Sequence, residues 1–295
     1  MTPLPAKERS FTPKVLAAIG GTILVWSTAY VGTRVALREF SPMSLALLRF
    51  LVASSALALY GWVKGARLPR LHDVPVFLAL GFLGIFLYMW LFNVGHKTVP
   101  AATGSFLIAV TPLFTAINGA VAYRTKIHLR SVLGMIVSLL GVGLIAFGER
   151  TGGSINMGVF LLLIAAWLLG LYNVWVKPLS KRYKANEITL YTFIAGTLFM
   201  LLFLPQLARE LPHASAYGIC VVVGLGLFPA AIGYTLWSYA LSKAPAANVA
   251  SFMYLTPVVT MVLGWFWIHE LPPAASLVGG LIALGGVVLT NLRTK

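Results

Sequence analysis

This chain has little of what a soluble enzyme needs. It carries a single cysteine, Cys220, so neither an intramolecular disulfide nor a CxxC pair can form. Cys220 sits in an apolar run and reads as a small packing residue. Only seven residues are acidic: Glu8, Glu39, Asp73, Glu149, Glu187, Glu210 and Glu270. Each lies in a tail, in a loop or at the end of an apolar run. A buried Asp/Glu relay is therefore not expected, nor is a carboxylate site selecting cations. HExxH, GxSxG, Walker and paired CxxC motifs are all missing. The five histidines, His72, His96, His128, His213 and His269, are scattered among span ends and loops. No catalytic cluster, metal site or cofactor is expected.

What the chain does have is apolar sequence. Of its 295 residues 59% are hydrophobic and 10% charged, with mean hydropathy +0.89. A soluble domain carries about a quarter charged residues, so this is a polytopic membrane protein whose first partner is the lipid bilayer. The net charge of +15 does not indicate nucleic acid, because the basic residues are dispersed between apolar segments rather than gathered in a stripe. Lys7, Arg9 and Lys14 precede an apolar run that is long for a signal peptide and has no clear cleavage site, so it reads as the first span.

Ten segments of spanning length can be drawn, near 15–37, 42–63, 74–96, 99–122, 129–148, 155–178, 187–206, 215–241, 245–268 and 274–292. With the N-terminus inside, sixteen Lys and Arg fall on the inner side and five on the outer, with Arg49 inside a span. That bias supports an all-α protein of ten spans with both termini cytoplasmic.

The chain also repeats itself. PAATGSFLIAVTP at 100–112 recurs as PAANVASFMYLTP at 245–257, and the same offset carried to residue 146 gives thirteen identities in 47 positions. Two repeats follow, 1–148 and 149–295. Five spans per repeat is odd, so the second enters the membrane upside down. The loops agree: Arg124, Lys126 and Arg130 follow span four, whereas His269, Glu270 and Ala275 stand at the matching places after span nine. Inverted repeats are the architecture of secondary transporters, with the site between the halves. Pro112 and Pro257 lie roughly 18 Å into spans four and nine, near mid-bilayer. Each denies a hydrogen bond to the carbonyl four residues earlier, that of Ile108 or Met253. Thr111-Pro112 and Thr256-Pro257 are thus candidate helix breaks and gates. Gly134, Ser138 and Gly141 on span five, with Gly279, Ala283 and Gly286 on span ten, permit close helix contact, either within the monomer or between two copies. The monomer is the reading adopted.

Aromatic and hydroxyl side chains are dense where a cavity would lie. Trp26 and Tyr30 share a face of span one; Tyr88 and Asn93 lie on span three; Trp167 lies near the middle of span six. Tyr234, Trp237 and Ser238 cluster on span eight, and Tyr254 precedes Pro257. Any one of these reads equally as core or lipid-facing packing; their coincidence at mid-depth in the spans paired by the repeat favours a cavity. Such a lining suits a small amphipathic molecule with an apolar side chain. Arg49 either meets an anionic group of that molecule or snorkels outward. Coupling through boundary groups such as His96 or Glu270, and plain facilitated transport, both remain open.

Ser41-Pro42, Leu48-Arg49-Phe50, Pro100 to Pro112, Pro245 to Pro257, and Gly279 with Gly285-Gly286 together resemble the EamA-type branch of the drug/metabolite transporter superfamily over nearly the whole chain. Within that branch the chain looks most like the YddG-type amino-acid exporters. The resemblance implies a ten-helix basket with a central cavity, alternating access, and export of amino acids or related metabolites across a bacterial inner membrane. It would turn Trp26, Tyr88, Trp167, Tyr234 and Tyr254 inward. One departure stands out: members often carry an acid soon after helix four, as Glu270 stands after helix nine, but the matching residue here is Thr125. Multidrug and nucleotide-sugar carriers share the fold; the latter would call for basic cavity residues, and only Arg49 is available. A membrane enzyme or a receptor is the alternative from outside the transporter class.

Overall fold

Proline and small polar residues set the helix starts. In the computed structural model, which describes residues 12–124, 129–150, 154, 156–243 and 252–291, the Thr12 hydroxyl caps α1 (Pro13–Ala36) and the Ser41 hydroxyl caps α2 (Pro42–Val63). Both place Pro in the first turn, where its missing N–H costs nothing. Asn156 caps α6 (Met157–Leu179) in the same way. The remaining elements are α3 (Leu71–Gly95), α4 (Ala101–Tyr123), α5 (Leu129–Gly148), α7 (Ala185–His213), α8, α9 (Phe252–Ile268) and α10 (Ala274–Asn291). α8 runs as Ala216–Leu227, a π-helical turn Phe228–Gly233, and Tyr234–Lys243. Seven of these, α1 to α7, are long and apolar enough to cross a membrane; Ala216–Leu227, Phe252–Ile268 and Ala274–Thr290 are shorter apolar helices. The chain is a multi-pass, all-helical membrane protein.

The two halves contact each other by exchange of equivalent helices. α1 packs on α9 as α4 packs on α6, α3 packs on α6 as α8 packs on α1, and α3 packs on α7 as α8 packs on α2. α2 with α7, and α5 with α10, are the self-matched pairs. The α5–α10 seam uses the small-residue stripe: a Cβ on Gly141 would lie 2.4 Å from the Ala283 nitrogen, and one on Gly286 2.3 Å from the Ser138 nitrogen. Backbones in such contact admit no larger side chain. The stripe is spent within the chain.

The breaks recur too. α4 stops at Ile108 and restarts at Thr111-Pro112; α9 passes from a 3₁₀ turn, Phe252–Leu255, into a helix starting at Thr256-Pro257. In α4 the Thr111 hydroxyl donates to the Ile108 carbonyl at 2.6 Å, taking the bond that Pro112 cannot make. The Thr256 hydroxyl is buried without a partner, and its carbonyl accepts from Ser27 at 3.2 Å. α3 and α8 each carry a π-helical turn, Phe82–Leu87 and Phe228–Gly233. Both segments that follow α4 and α9 leave through a left-handed residue, Arg124 at φ 51° and His269 at φ 55°.

Loop ends are pinned by buried carboxylates. Asp73 binds Arg182 at 2.5 Å and the Tyr183 hydroxyl at 2.7 Å, while Glu187 accepts from the backbone N–H groups of Lys184 and Arg67. Glu149 accepts from Thr103 at 2.7 Å and Ser276 at 2.9 Å, holding α5 to α4 and α10. These acids do lie at span ends, but three of them are buried and serve as clamps.

Candidate functional site

The two π-turns face the aromatic residues of the opposite half. Gly233 leaves room for the Trp26 indole, since a Cβ there would lie 2.5 Å from Trp26 Nε1; Gly84 does the same for the Tyr172 ring. Trp26 Nε1 donates to the Pro229 carbonyl at 3.0 Å, inside the second π-turn. π-turns widen a helix by one residue and free a carbonyl for such a bond. Trp237, about one turn beyond Gly233 on α8, brings its ring to 5.5 Å from Trp26.

One turn along α1, Tyr30 lies 5.5 Å from the ring of Phe92 on α3 and 5.8 Å from that of His96, which caps its end. Tyr88 meets Phe92 at 5.6 Å with the rings tilted. Tyr30, Tyr88 and Tyr254 are all half-buried against one cluster that also contains Phe114 and Leu169. Arg49 is half-buried on α2 with its guanidinium 5.9 Å from the Phe50 ring. So α1 carries Trp26 against Trp237 of α8 and, one turn on, Tyr30 against Phe92 of α3, while Tyr88 and Tyr254 share the cluster on which Tyr30 packs.

Other expected residues sit differently. Asn93 is buried, and its amide donates to the Pro42 carbonyl at 2.8 Å, tying α3 to the start of α2; its oxygen has no partner. Trp167 is 42% exposed on α6, where its indole donates to Asn118 at 3.2 Å. Asn118 and Thr115 on α4, and Asn173 on α6, were absent from the sequence expectation; Asn173 donates to Thr115 at 3.3 Å. The signal for them is their polarity within an apolar span. The side chains of Tyr234 and Ser238 lie outside the described residues. An apolar groove of about 520 Å³, lined by Leu51, Val52, Ser55, Ala56, Leu59 and Leu227, includes none of the aromatic set. Among the described residues no group of three His, Cys, Asp or Glu is arranged to hold a metal.

His96 deserves separate description. It is fully buried, and its Nδ1 lies 2.8 Å from the Phe92 carbonyl, which can only accept, so Nδ1 carries the proton. Nε2 has no partner and packs against Gly104, where a Cβ would lie 2.3 Å away. α3 and α4 thus meet in a fixed corner.

Paired helix interruptions around an aromatic centre define a membrane transporter. The EamA-like transporter family matches twice, over residues 13–147 and 156–292, and the chain belongs to that family. It is similar to the uncharacterized transporter YdfC of Bacillus subtilis (strain 168), 36% identical over 97% of this chain and 94% of that one. It is 35% identical to a probable terminal-alkyne amino-acid exporter of Streptantibioticus cattleyicolor, over 95% of this chain and 94% of the relative. One solved crystal structure superposes with a TM-score of 0.61 at 18% identity, over 94% of this chain and 96% of that one, a likeness of fold alone.

Proposed function

We propose that this chain exports apolar and aromatic amino acids and related small metabolites from the cytoplasm across a bacterial inner membrane. The path is a central cavity between two inverted five-helix repeats, 1–148 and 149–295, in a monomer of ten spans with both termini cytoplasmic. The observation that carries this reading is that α1 places Trp26 against Trp237 at the π-turn of α8 and Tyr30 against Phe92 on α3, with Tyr88 and Tyr254 packed on the same cluster as Tyr30. Irregular backbone at membrane depth is tolerated only where it is buried or lines a wet cavity. The rings would receive the substrate's side chain and Arg49 its carboxylate. Trp167, Tyr234 and Ser238 would extend the wall, with Asn93 bracing it. The breaks at Thr111-Pro112 and Thr256-Pro257 would let α4 and α9 flex as gates. The relative named as an amino-acid exporter supports the substrate class.

Efflux of a radiolabelled amino-acid panel from proteoliposomes tests it. Phenylalanine, tryptophan or leucine should leave faster than from protein-free vesicles, and lysine and glutamate should not. Equal release from both vesicle types across the panel would refute the assignment. A multidrug carrier would instead move organic dyes and leave amino acids inside.

A further inference from the structure

We propose that Arg34 and Glu270 form a latch that closes the outer end of the pathway, and that its absence from the inner end biases the protein toward an inward-open rest. The inference rests on the transport reading above and concerns which face opens, not what is carried. In this structure the outer half of α4, Ala101–Ile108, is buried at every residue, packed against α1, α6, α9 and α10. Its inner half is not: Phe114 to Ala120 are all half-buried. The outer end is closed.

Arg34, in the last turn of α1, spans that closed end. Nη2 binds Glu270 Oε1 at 2.5 Å and Nε binds both carboxylate oxygens at 3.1 and 3.2 Å. Nη1 donates to the His96 carbonyl at 2.6 Å and the Lys97 carbonyl at 3.0 Å, capping the end of α3. One guanidinium therefore joins α1, the α3–α4 corner and the end of α9. The corner moves as a piece, because His96 packs on Gly104. For α4 to leave α1 and α9 on that side, the Arg34 fork must release either Glu270 or the two carbonyls. Both partners of the pair are only 22% exposed, so water competes poorly for it.

The inner end pairs its helices alike, but among the described residues no acid meets the base that ends α6. α6 also ends in a base, Lys177, and packs on α4 as α1 packs on α9. The residue matching Glu270 is Thr125. Lys177 instead lies 5.2 Å over the Tyr123 ring, an exposed contact worth less than a forked ion pair. The inner Asp73–Arg182 pair does not substitute, since it joins the first turn of α3 to the α6–α7 connection rather than the α4–α6 seam. An exporter that rests open to the cytoplasm waits where its substrate is.

The test reads conformation and needs no substrate. In a Cys220→Ser background, Ser105→Cys places a thiol on the buried outer half of α4, and Ser54→Cys places one at the α2–α7 contact. A membrane-impermeant maleimide is added from outside to right-side-out vesicles. Glu270→Gln should label at position 105 about five to thirty times faster than its parent, the effect of losing one or two kcal/mol of closed-state preference. Arg34→Lys, which keeps the charge but not the fork, should accelerate labelling less. Position 54 should label at the parental rate in both. Parental labelling at 105 in both variants, or equal acceleration at 105 and 54, overturns the latch. Absence of amino-acid flux through the unaltered protein, together with shifted labelling in the variants, would leave the latch standing and refute only the substrate assignment.

Discussion

Trp26 is fixed at both ends of its indole: the nitrogen by the Pro229 carbonyl, the ring by Gly233 and Trp237. Such an aromatic offers a flat face at little entropic cost, which is what an apolar side chain needs from a binding wall. Trp26→Ala should raise KM for an apolar amino acid about tenfold, the loss of roughly 1–2 kcal/mol of ring contact. Concentration-dependent uptake in proteoliposomes measures this, with gel filtration in detergent to show that the variant folds. An unchanged KM in a folded variant removes Trp26 from the site. At this scale the sequence places the rings along their spans and is silent about how each is held. Trp26 with Tyr30 at i,i+4 was visible in the spacing. That Asn93 would be spent on the Pro42 carbonyl was not, because that partner is 51 residues away. Trp167 was expected among the mid-depth aromatics, yet the ring that packs on the π-turn of α3, as Trp26 packs on that of α8, is Tyr172.

The helix breaks separate what proline announces from what packing imposes. Pro112 and Pro257 mark their interruptions directly, since the missing N–H is written in the chain. The π-turn of α8 contains Pro229, but that of α3 contains no proline. There the cause is tertiary: Gly81 meets the backbone of Ala195 and Gly196 on α7, and Gly84 meets Tyr172 on α6. No periodicity reveals contacts with helices so distant in the chain. The two breaks also differ in how they are satisfied, and this yields a paired prediction. Thr111→Val strips the donor from the Ile108 carbonyl and should lower stability by about 1–3 kcal/mol, the penalty of an orphaned buried acceptor. Thr256→Val removes a hydroxyl that has no partner and should be neutral or slightly stabilising. Thermal melts of the two variants in the same detergent check the order, and a larger loss for Thr256→Val would show that the breaks are satisfied differently from this description.

For the whole molecule, the decisive feature is that the main helix pairs between the halves have exchanged counterparts, while charge and hydrogen bonding do not. Under the proposed alternating access, symmetric packing would supply two conformations of similar energy and the asymmetric details would set their balance. Duplication and composition made that architecture readable from the chain, down to the small-residue seam between α5 and α10. The seam could equally have joined two copies until its contacts with Gly279, Ala283 and Gly286 were known. The buried roles of Asp73, Glu149 and Glu187 were hidden for a related reason: each acid looks solvated in its loop until a distant partner closes over it.

A single site exposed alternately to either side predicts exchange, and counterflow measures it. Proteoliposomes loaded with millimolar unlabelled phenylalanine should take up trace labelled phenylalanine from outside in a transient overshoot. The overshoot should shrink in Trp26→Ala at the same protein density. Uptake that rises without saturation, and that is indifferent to the internal amino acid, would contradict a central alternating site.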